Sequence, residues 1–234
     1  TVAVTAGRPP RLQGGPVNPP VVLSSTYVSA GTPSPEDKLY TRAGTETWEP
    51  FEDALAQLEG ATQSGVVFAS GMAAIASVLA MVPDGGTVVV PQHAYQVTLG
   101  FVDDMAQRHR VTVRRVDIAD TEASAAAFAG ADLVWIQSPT NPMLEVADLP
   151  VLVDAAHRAG ALVAVDNTFA TPLVQRPLES GADLVVHSVT KYLAGHSDVV
   201  LGAVVTSSEH LERSVRAYRT LHGAIAGPWE VWLA

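Results

Sequence analysis

Seven short apolar runs punctuate the chain after Thr47, at Gly65–Phe68, Thr87–Val90, Val111–Val116, Leu133–Ile136, Leu162–Val165, Leu184–Val186 and Leu201–Val205. Each has the length of a strand, and most are separated from the next by a segment of helical period. A strand that is apolar on both sides must be covered on both faces, and helical crossovers return the chain so that successive strands run the same way. The pattern predicts a three-layer α/β fold on a mainly parallel, seven-stranded sheet. With 47% apolar residues in 234 positions, one large domain plus appendages can be filled.

The first 45 residues depart from this rhythm. Pro9, Pro10, Pro16, Pro19, Pro20, Pro33 and Pro35 rule out a long helix there, and Gly14-Gly15 marks a turn. Residues 1–45 therefore read as an extended arm, expected to be disordered in a lone monomer, and residues 46–234 as the main domain. The domain opens on a helix over Glu52–Glu59 that stops at Gly60, and the Ala-rich stretch Ala123–Ala131 reads as an ordinary helix.

A formal charge of −10 argues against nucleic-acid and anionic-membrane partners. The one dense group of arginines, Arg108, Arg110, Arg114 and Arg115, reads as a solvated edge around a helix-to-strand turn. No cysteine is present, so disulfides and thiolate metal sites are excluded. No run approaches the ~20 apolar residues of a membrane helix, and the N-terminal pattern is not that of a signal peptide, which makes the cytoplasm the expected compartment.

In parallel sheets ligands collect beyond the carboxyl ends of the strands. Lys191 follows one such end, and it is one of only two lysines against twelve arginines. An ammonium near apolar walls can lose its proton and attack a carbonyl, which a guanidinium cannot, so the residue type suits the covalent holding of an aldehyde cofactor. Asp166 ends the preceding strand, where a carboxylate needs a partner: a helix end, an arginine, or a cationic ligand. Ser70-Gly71-Met72 precedes a helix over Ala73–Met81, a place where free amides and the helix dipole suit a phosphate, although a glycine before a helix is often only a turn. An aldehyde on Lys191 with a ring nitrogen kept protonated by Asp166 describes pyridoxal phosphate. Nicotinamide binding would need a glycine fingerprint that the chain lacks.

The segment from Ser188 to Val199 resembles the cofactor-lysine signature of the pyridoxal-phosphate enzymes of cysteine and methionine metabolism, the cystathionine γ-synthase/γ-lyase family. The likeness runs on, in order, through the stretch from Pro19 to Tyr27, Tyr40-Thr41-Arg42, Ser70-Gly71-Met72-Ala73-Ala74-Ile75, Ser138-Pro139-Thr140-Asn141-Pro142 and Asp166-Asn167-Thr168-Phe169. This resemblance implies the large domain of the aspartate-aminotransferase-like fold type. It implies that Lys191 binds the cofactor and carries protons, that Asp166 pairs with the pyridinium nitrogen, and that Tyr95 stacks on the ring and aids proton transfer. Ser70, Gly71, Met72, Ser188 and Thr190 would hold the phosphate, Asn141 the ring hydroxyl, and Thr168 would pack beside the ring. Tyr40 and Arg42 would reach the site of a neighbouring subunit in a homodimer or homotetramer. No metal is implied.

Outside that likeness, Tyr95 is equally a residue at a helix start, Tyr40 and Arg42 a surface pair, and Thr168 a strand-end hydroxyl. His93, His187 and His196 fit no nucleophile or metal spacing and are given no role. Gln137 stands where the family commonly has glutamate, Ala43 and its neighbours replace the usual residues after the arginine, and Val97 takes a place where methionine γ-lyases often have cysteine. The sequence ends at Trp232-Leu233-Ala234, where the family continues into a C-terminal small domain. The expected activity is a transsulfuration step, γ-replacement or γ-elimination on a homoserine-derived or cystathionine-like amino acid. The alternatives are a cystathionine β-lyase, an acylhomoserine sulfhydrylase, or a non-catalytic cofactor-binding remnant.

Overall fold

The structure, a computed structural model, describes residues 2–34 and 37–234. Thr1, Pro35 and Glu36 lie outside the described residues, so the proline of the arm at position 35 has no structural account. The seven apolar runs form seven strands: β1 (Val66–Phe68), β2 (Gly86–Pro91), β3 (Val111–Val116), β4 (Leu133–Gln137), β5 (Leu162–Asp166), β6 (Leu184–His187) and β7 (Gly202–Val205). They make one sheet in the order β1-β7-β6-β5-β4-β2-β3. The pairs from β3 to β6 are parallel, while β7 lies antiparallel between β1 and β6. No helix forms between β6 and β7, so the chain returns beside β6 in the opposite sense.

Antiparallel β7 has a consequence for position. Its first residue, Gly202, pairs with Phe68 at the end of β1, and Ala203 pairs with His187 at the end of β6. The start of β7 therefore lies at the same sheet edge as the carboxyl ends of β1 and β6.

The main helices are α1 (Val2–Thr5), α2 (Glu49–Glu59), α3 (Gly71–Leu79), α4 (Gln96–Gln107), α5 (Thr121–Ala126), α6 (Leu149–Arg158), α7 (Thr171–Val174), α8 (Glu209–His222) and α9 (Pro228–Leu233). They cover both faces. Val66, Phe68, Val88, Val90, Leu133 and Trp135 join α3, α4 and α8 in one core. The alternate residues Val89, Val134, Ile136, Val163 and Val165 join α6 and Phe128 in a second. Val67, Val185, Ala203 and Val205 pack with Trp48, Leu55 and Val231 in a third. Period-two alternation of strand side chains thus divides them between the two faces of the sheet, the second and third clusters sharing one face, where Val165 pairs with Val185.

The open side of edge strand β1 is closed by charge. Val67 donates its N–H to Glu52 Oε1 at 2.9 Å, and its carbonyl accepts from Arg219 Nη1 at 3.0 Å. Arg219 is fully buried, bonds Glu52 Oε1 at 2.6 Å, and lies 4.4 Å over the Trp48 ring. An edge strand covered this way offers no backbone to a second chain.

Three local expectations need correction. The first helix begins at Glu49, three residues before the expected start, because Pro50 is well placed in a first helical turn; it ends at Gly60 with φ 74°, as expected. The Ala-rich stretch is helical only over Thr121–Ala126. Beyond it Phe128 turns into the core and Arg114 binds the carbonyls of Ala127 and Ala129, so tertiary partners outweigh alanine's helix preference. The arm is not extended throughout, since Val2–Thr5 makes one helical turn; a Thr26–Tyr40 bridge folds it on itself, and it is tied to the domain by Val22 N donating to Thr47 Oγ1 at 2.9 Å and Trp232 Nε1 donating to Pro19 O at 2.8 Å. The arginine edge matches its reading, with Arg108, Arg110 and Arg115 paired to Asp104, Asp84 and Asp103 near solvent. Among the described residues no helix is long and apolar enough to cross a membrane.

Candidate active site

At the carboxyl edge of the sheet a cavity of about 280 Å³ is lined by Ser70, Gly71, Met72, Tyr95, Asn141, Asp166, Thr168, Ser188, Thr190 and Lys191. These are the site residues expected from sequence, apart from Tyr40 and Arg42. Those two are exposed on the arm, with the Arg42 guanidinium 5.2 Å from the Tyr40 ring centroid, and they do not line the cavity.

The floor at one end is the start of α3. Ser70 caps the helix, its Oγ accepting from Ala73 N at 3.1 Å, which leaves the amides of Gly71 and Met72 without a partner among the described residues. Two glycines make this approach possible. A Cβ on Gly71 would stand 3.0 Å from Ser188 Cβ and Oγ, and a Cβ on Gly202 would collide with the Ser70 carbonyl. Partnerless amides, a helix N-terminus and a passage too narrow for a side chain fit a phosphate.

Asp166 ends β5 and is 5% exposed. Its Oδ2 accepts from Gln137 Nε2 at 2.7 Å, and its Oδ1 accepts from Thr168 Oγ1 at 2.6 Å and Thr168 N at 3.1 Å. All three donors are neutral. No arginine pairs with it among the described residues, so a buried carboxylate here has donors but no counter-ion. That is the environment a protonated ring nitrogen would complete. Thr168 Oγ1 also accepts from Ser188 N at 2.9 Å, which ties the Asp166 end of the cavity to the end that faces α3.

Lys191 stands on the turn beyond β6 with its ammonium unpaired among the described residues. Lys38, the other lysine, is bound to Glu49 at 2.6 Å and Glu46 at 3.3 Å. Burial works against its charge, yet those two glutamates hold it above the ordinary lysine value. Lys191 is exposed on this turn, yet it lines the cavity together with the apolar side chains of Ile75, Phe169, Val186 and Val200. A second cavity of about 610 Å³ adjoins on that side, sharing Phe169, Thr190, Lys191 and Val200 with the first. The Thr190 hydroxyl donates to Leu201 O at 3.1 Å and accepts from Leu201 N at 2.9 Å, which fixes the turn to the start of β7.

Residues not singled out for the site also contribute. Phe169, Ile75, Val186 and Val200 supply apolar lining; Phe169 and Ile75 close two of the motifs that carry the family likeness but had been given no role. His93 Nδ1 lies 2.9 Å from Glu145 Oε1, and Thr140 Oγ1 donates to Glu145 Oε2 at 2.9 Å, so the segments bearing Tyr95 and Asn141 are latched together. His187 is fully buried against Glu59 at 2.6 Å, beneath the site and outside the cavity lining. Gly202 gave no sign in the sequence of lying at the site.

All 234 residues match the family model described as Cys/Met metabolism PLP-dependent enzyme. The chain belongs to that family. Members of the Cys/Met metabolism family depend on pyridoxal phosphate, and the amides, carboxylate and lysine above are the groups such a cofactor requires. A putative cystathionine gamma-lyase of Streptomyces coelicolor is 44% identical over 238 residues, covering 100% of this chain and 60% of that protein. A cystathionine gamma-synthase of Mycobacterium tuberculosis is 39% identical over 236 residues, covering 100% of this chain and 61% of its own length. Among solved structures, the cystathionine gamma synthase of Xanthomonas oryzae pv. oryzae in complex with cystathionine superposes with a TM-score of 0.93 at 40% identity, over 99% of this chain and 60% of that one. The chain thus spans about three fifths of the length of these members.

Proposed function

We propose that the protein acts on a homoserine-derived or cystathionine-like amino acid, by replacing or eliminating the group on its γ-carbon, with pyridoxal phosphate as cofactor. The observation that carries this reading is the pairing, around one cavity, of an unpaired lysine with a buried carboxylate that has only neutral donors. When bound, pyridoxal phosphate supplies an electron sink for negative charge developing on the substrate carbons. Lys191 would hold it covalently and, once released, take the proton from the substrate's α-carbon and return it elsewhere. Asp166 would keep the ring nitrogen protonated. The amides of Gly71 and Met72, with Ser70, Ser188 and Thr190, would orient the phosphate, while Tyr95 and Asn141 would fix the ring from the opposite wall.

We read residues 46–234 as the cofactor-binding domain and residues 1–45 as an arm that carries Tyr40 and Arg42 to the site of a second copy, in a homodimer or homotetramer. Their exposure and their absence from this chain's own cavity lining support that reading. The substrate class draws support from the cystathionine held by the Xanthomonas oryzae relative. A β-lyase outcome is the second reading, because a cystathionine beta-lyase of Lactococcus lactis is 39% identical over 220 residues.

The test is an absorption spectrum of the protein with pyridoxal phosphate, beside that of Lys191→Ala, followed by cystathionine and O-succinylhomoserine in separate additions. The expected result is a long-wavelength band that is missing in the variant and shifts with one of the two amino acids. Product analysis after cystathionine addition separates γ- from β-cleavage. Absence of a band in the unmodified protein would sink the enzyme reading.

A further inference from the structure

Two buried polar residues serve no step of the proposed chemistry. Glu59, the last residue of α2, and His187, the last of β6, are both fully buried, with Glu59 Oε1 2.6 Å from His187 Nε2. The same Glu59 oxygen accepts from Asn167 Nδ2 at 2.9 Å, and Asn167 follows directly on Asp166. Asn167 Nδ2 also donates to the Gln175 carbonyl at 2.9 Å, while Gln175 Nε2 donates to Asn167 Oδ1 at 3.0 Å and to the Ser138 carbonyl at 3.2 Å. One network therefore joins α2 to the ends of β4, β5 and β6.

Two of its members stand next to residues of the cavity lining, Asn167 beside Asp166 and His187 beside Ser188. The backbone ladder between β5 and β6 stops where Asn167 N donates to Val186 O at 2.9 Å. Past that point side chains span the gap between the strand ends, Thr168 within the cavity and Glu59 behind it. The Glu59–His187 pair is costly. Glu59 Oε2 and His187 Nδ1 are buried with no partner among the described residues, where apolar side chains would pack without that penalty. What a hydrogen-bonded pair adds over an apolar one is a fixed distance and direction.

We propose that Glu59 and His187 are positioning residues of the cofactor site, which set the spacing between the Asp166 carboxylate and the phosphate-holding turn at Ser188. This rests on the cofactor reading above. Pyridoxal phosphate is in effect two ligands on one frame, a ring that would meet Asp166 and Lys191 and a phosphate that would meet Ser188 and the α3 amides. Its affinity exceeds that of either fragment only so far as the two subsites stand at the separation the frame dictates. A spacer behind the strand ends acts on that separation and on neither subsite by itself.

The test uses the full chain, well below its thermal midpoint, and measures dissociation constants for pyridoxal phosphate, for pyridoxal and for inorganic phosphate. Glu59→Ala removes the acceptor shared by Asn167 and His187. It is expected to weaken pyridoxal phosphate by about ten- to thirtyfold, and pyridoxal and inorganic phosphate by less than about threefold each. Losses of like size for all three ligands would make the pair a general prop and overturn the proposal, as would unchanged affinity for pyridoxal phosphate. Should Glu59→Ala not fold, His187→Asn makes the same comparison, since it retains the bond between Glu59 and Asn167 and cuts only the link to β6. If the unmodified chain binds neither pyridoxal phosphate nor pyridoxal, the cofactor reading itself fails, which is a distinct outcome.

Discussion

Arg219 Nη1 and Glu52 Oε1 meet at 2.6 Å in a region closed to water, and between them they satisfy both outward-facing backbone groups of Val67. Burial pushes the Arg219 guanidinium below its ordinary value, with Glu52 opposing that shift. Removing Arg219 leaves the Val67 carbonyl without its donor and Glu52 with only the longer ion pair to Arg216 at 3.4 Å. Arg219→Met is expected to cost about 3–5 kcal/mol, lowering the thermal midpoint by about 6–15 °C, whereas Glu52→Gln combined with Arg219→Met should regain most of the loss. Calorimetry on the two variants checks this, and Arg219→Met within about 2 °C of the unmodified protein would remove the pair from any part in holding the edge.

Gly202→Ala places a methyl group against the Ser70 carbonyl and Gly71 Cα. The turn above must give way, at about 1–3 kcal/mol, or about 3–10 °C in midpoint. Because that turn presents the free amides of α3, affinity for pyridoxal phosphate should fall more than affinity for the phosphate-free pyridoxal. Parallel binding titrations with the two aldehydes would show it, and equal losses would refute it.

Glu145 gives a pH signature. The hydrogen bond from His93 holds its carboxyl below the ordinary value of 4.5, with desolvation acting the other way and Thr140 adding a second hydrogen bond. A carboxyl depressed on folding stabilises the protein above its unfolded value and loses that contribution as pH falls through the folded one. Glu145→Gln should therefore lower the midpoint by about 1–2 °C at pH 7 and by nothing measurable near pH 3. A difference that persists in acid would show that the latch works through shape and not through charge.

Arg42→Ala should leave the thermal midpoint of the unassociated chain unchanged, since the side chain is exposed. If sites are shared between copies, mixing Arg42→Ala with Lys191→Ala chains restores one intact site in each mixed dimer, about a quarter of all sites. Cofactor absorbance after unfolding and co-refolding the two measures this. No recovery would confine Tyr40 and Arg42 to their own surface.

Strand placement was legible because the central strands are sealed on both faces, which leaves continuous apolar runs such as Leu133–Ile136 in plain view. The direction of β7 was not, since Gly202–Val205 has the same composition as its parallel neighbours and only the absence of a helix after Lys191 hints at the reversal. Asp166 and Lys191 stood out because a carboxylate at an apolar strand end and a scarce amine are chemically out of place. Gln137 could be seen as a departure from the family, but its reach to Tyr95 and Asn141 depends on contacts across 42 and 4 residues that no local pattern encodes. Gly202 was invisible for a similar reason, because its meaning lies in a backbone that passes over it from β1.

β1 has no strand neighbour except β7, which leaves the chain some 130 residues later. The phosphate end of the cavity hangs from β1, and the lysine turn is pinned to the start of β7. During synthesis, then, a nascent chain that has released Asp166 and even Lys191 still lacks a finished pocket, and the long loop between first and last strand must close before it exists. Capture of the cofactor would time the completion of the sheet, so that a ribosome-bound chain arrested before Gly202 should remain colourless.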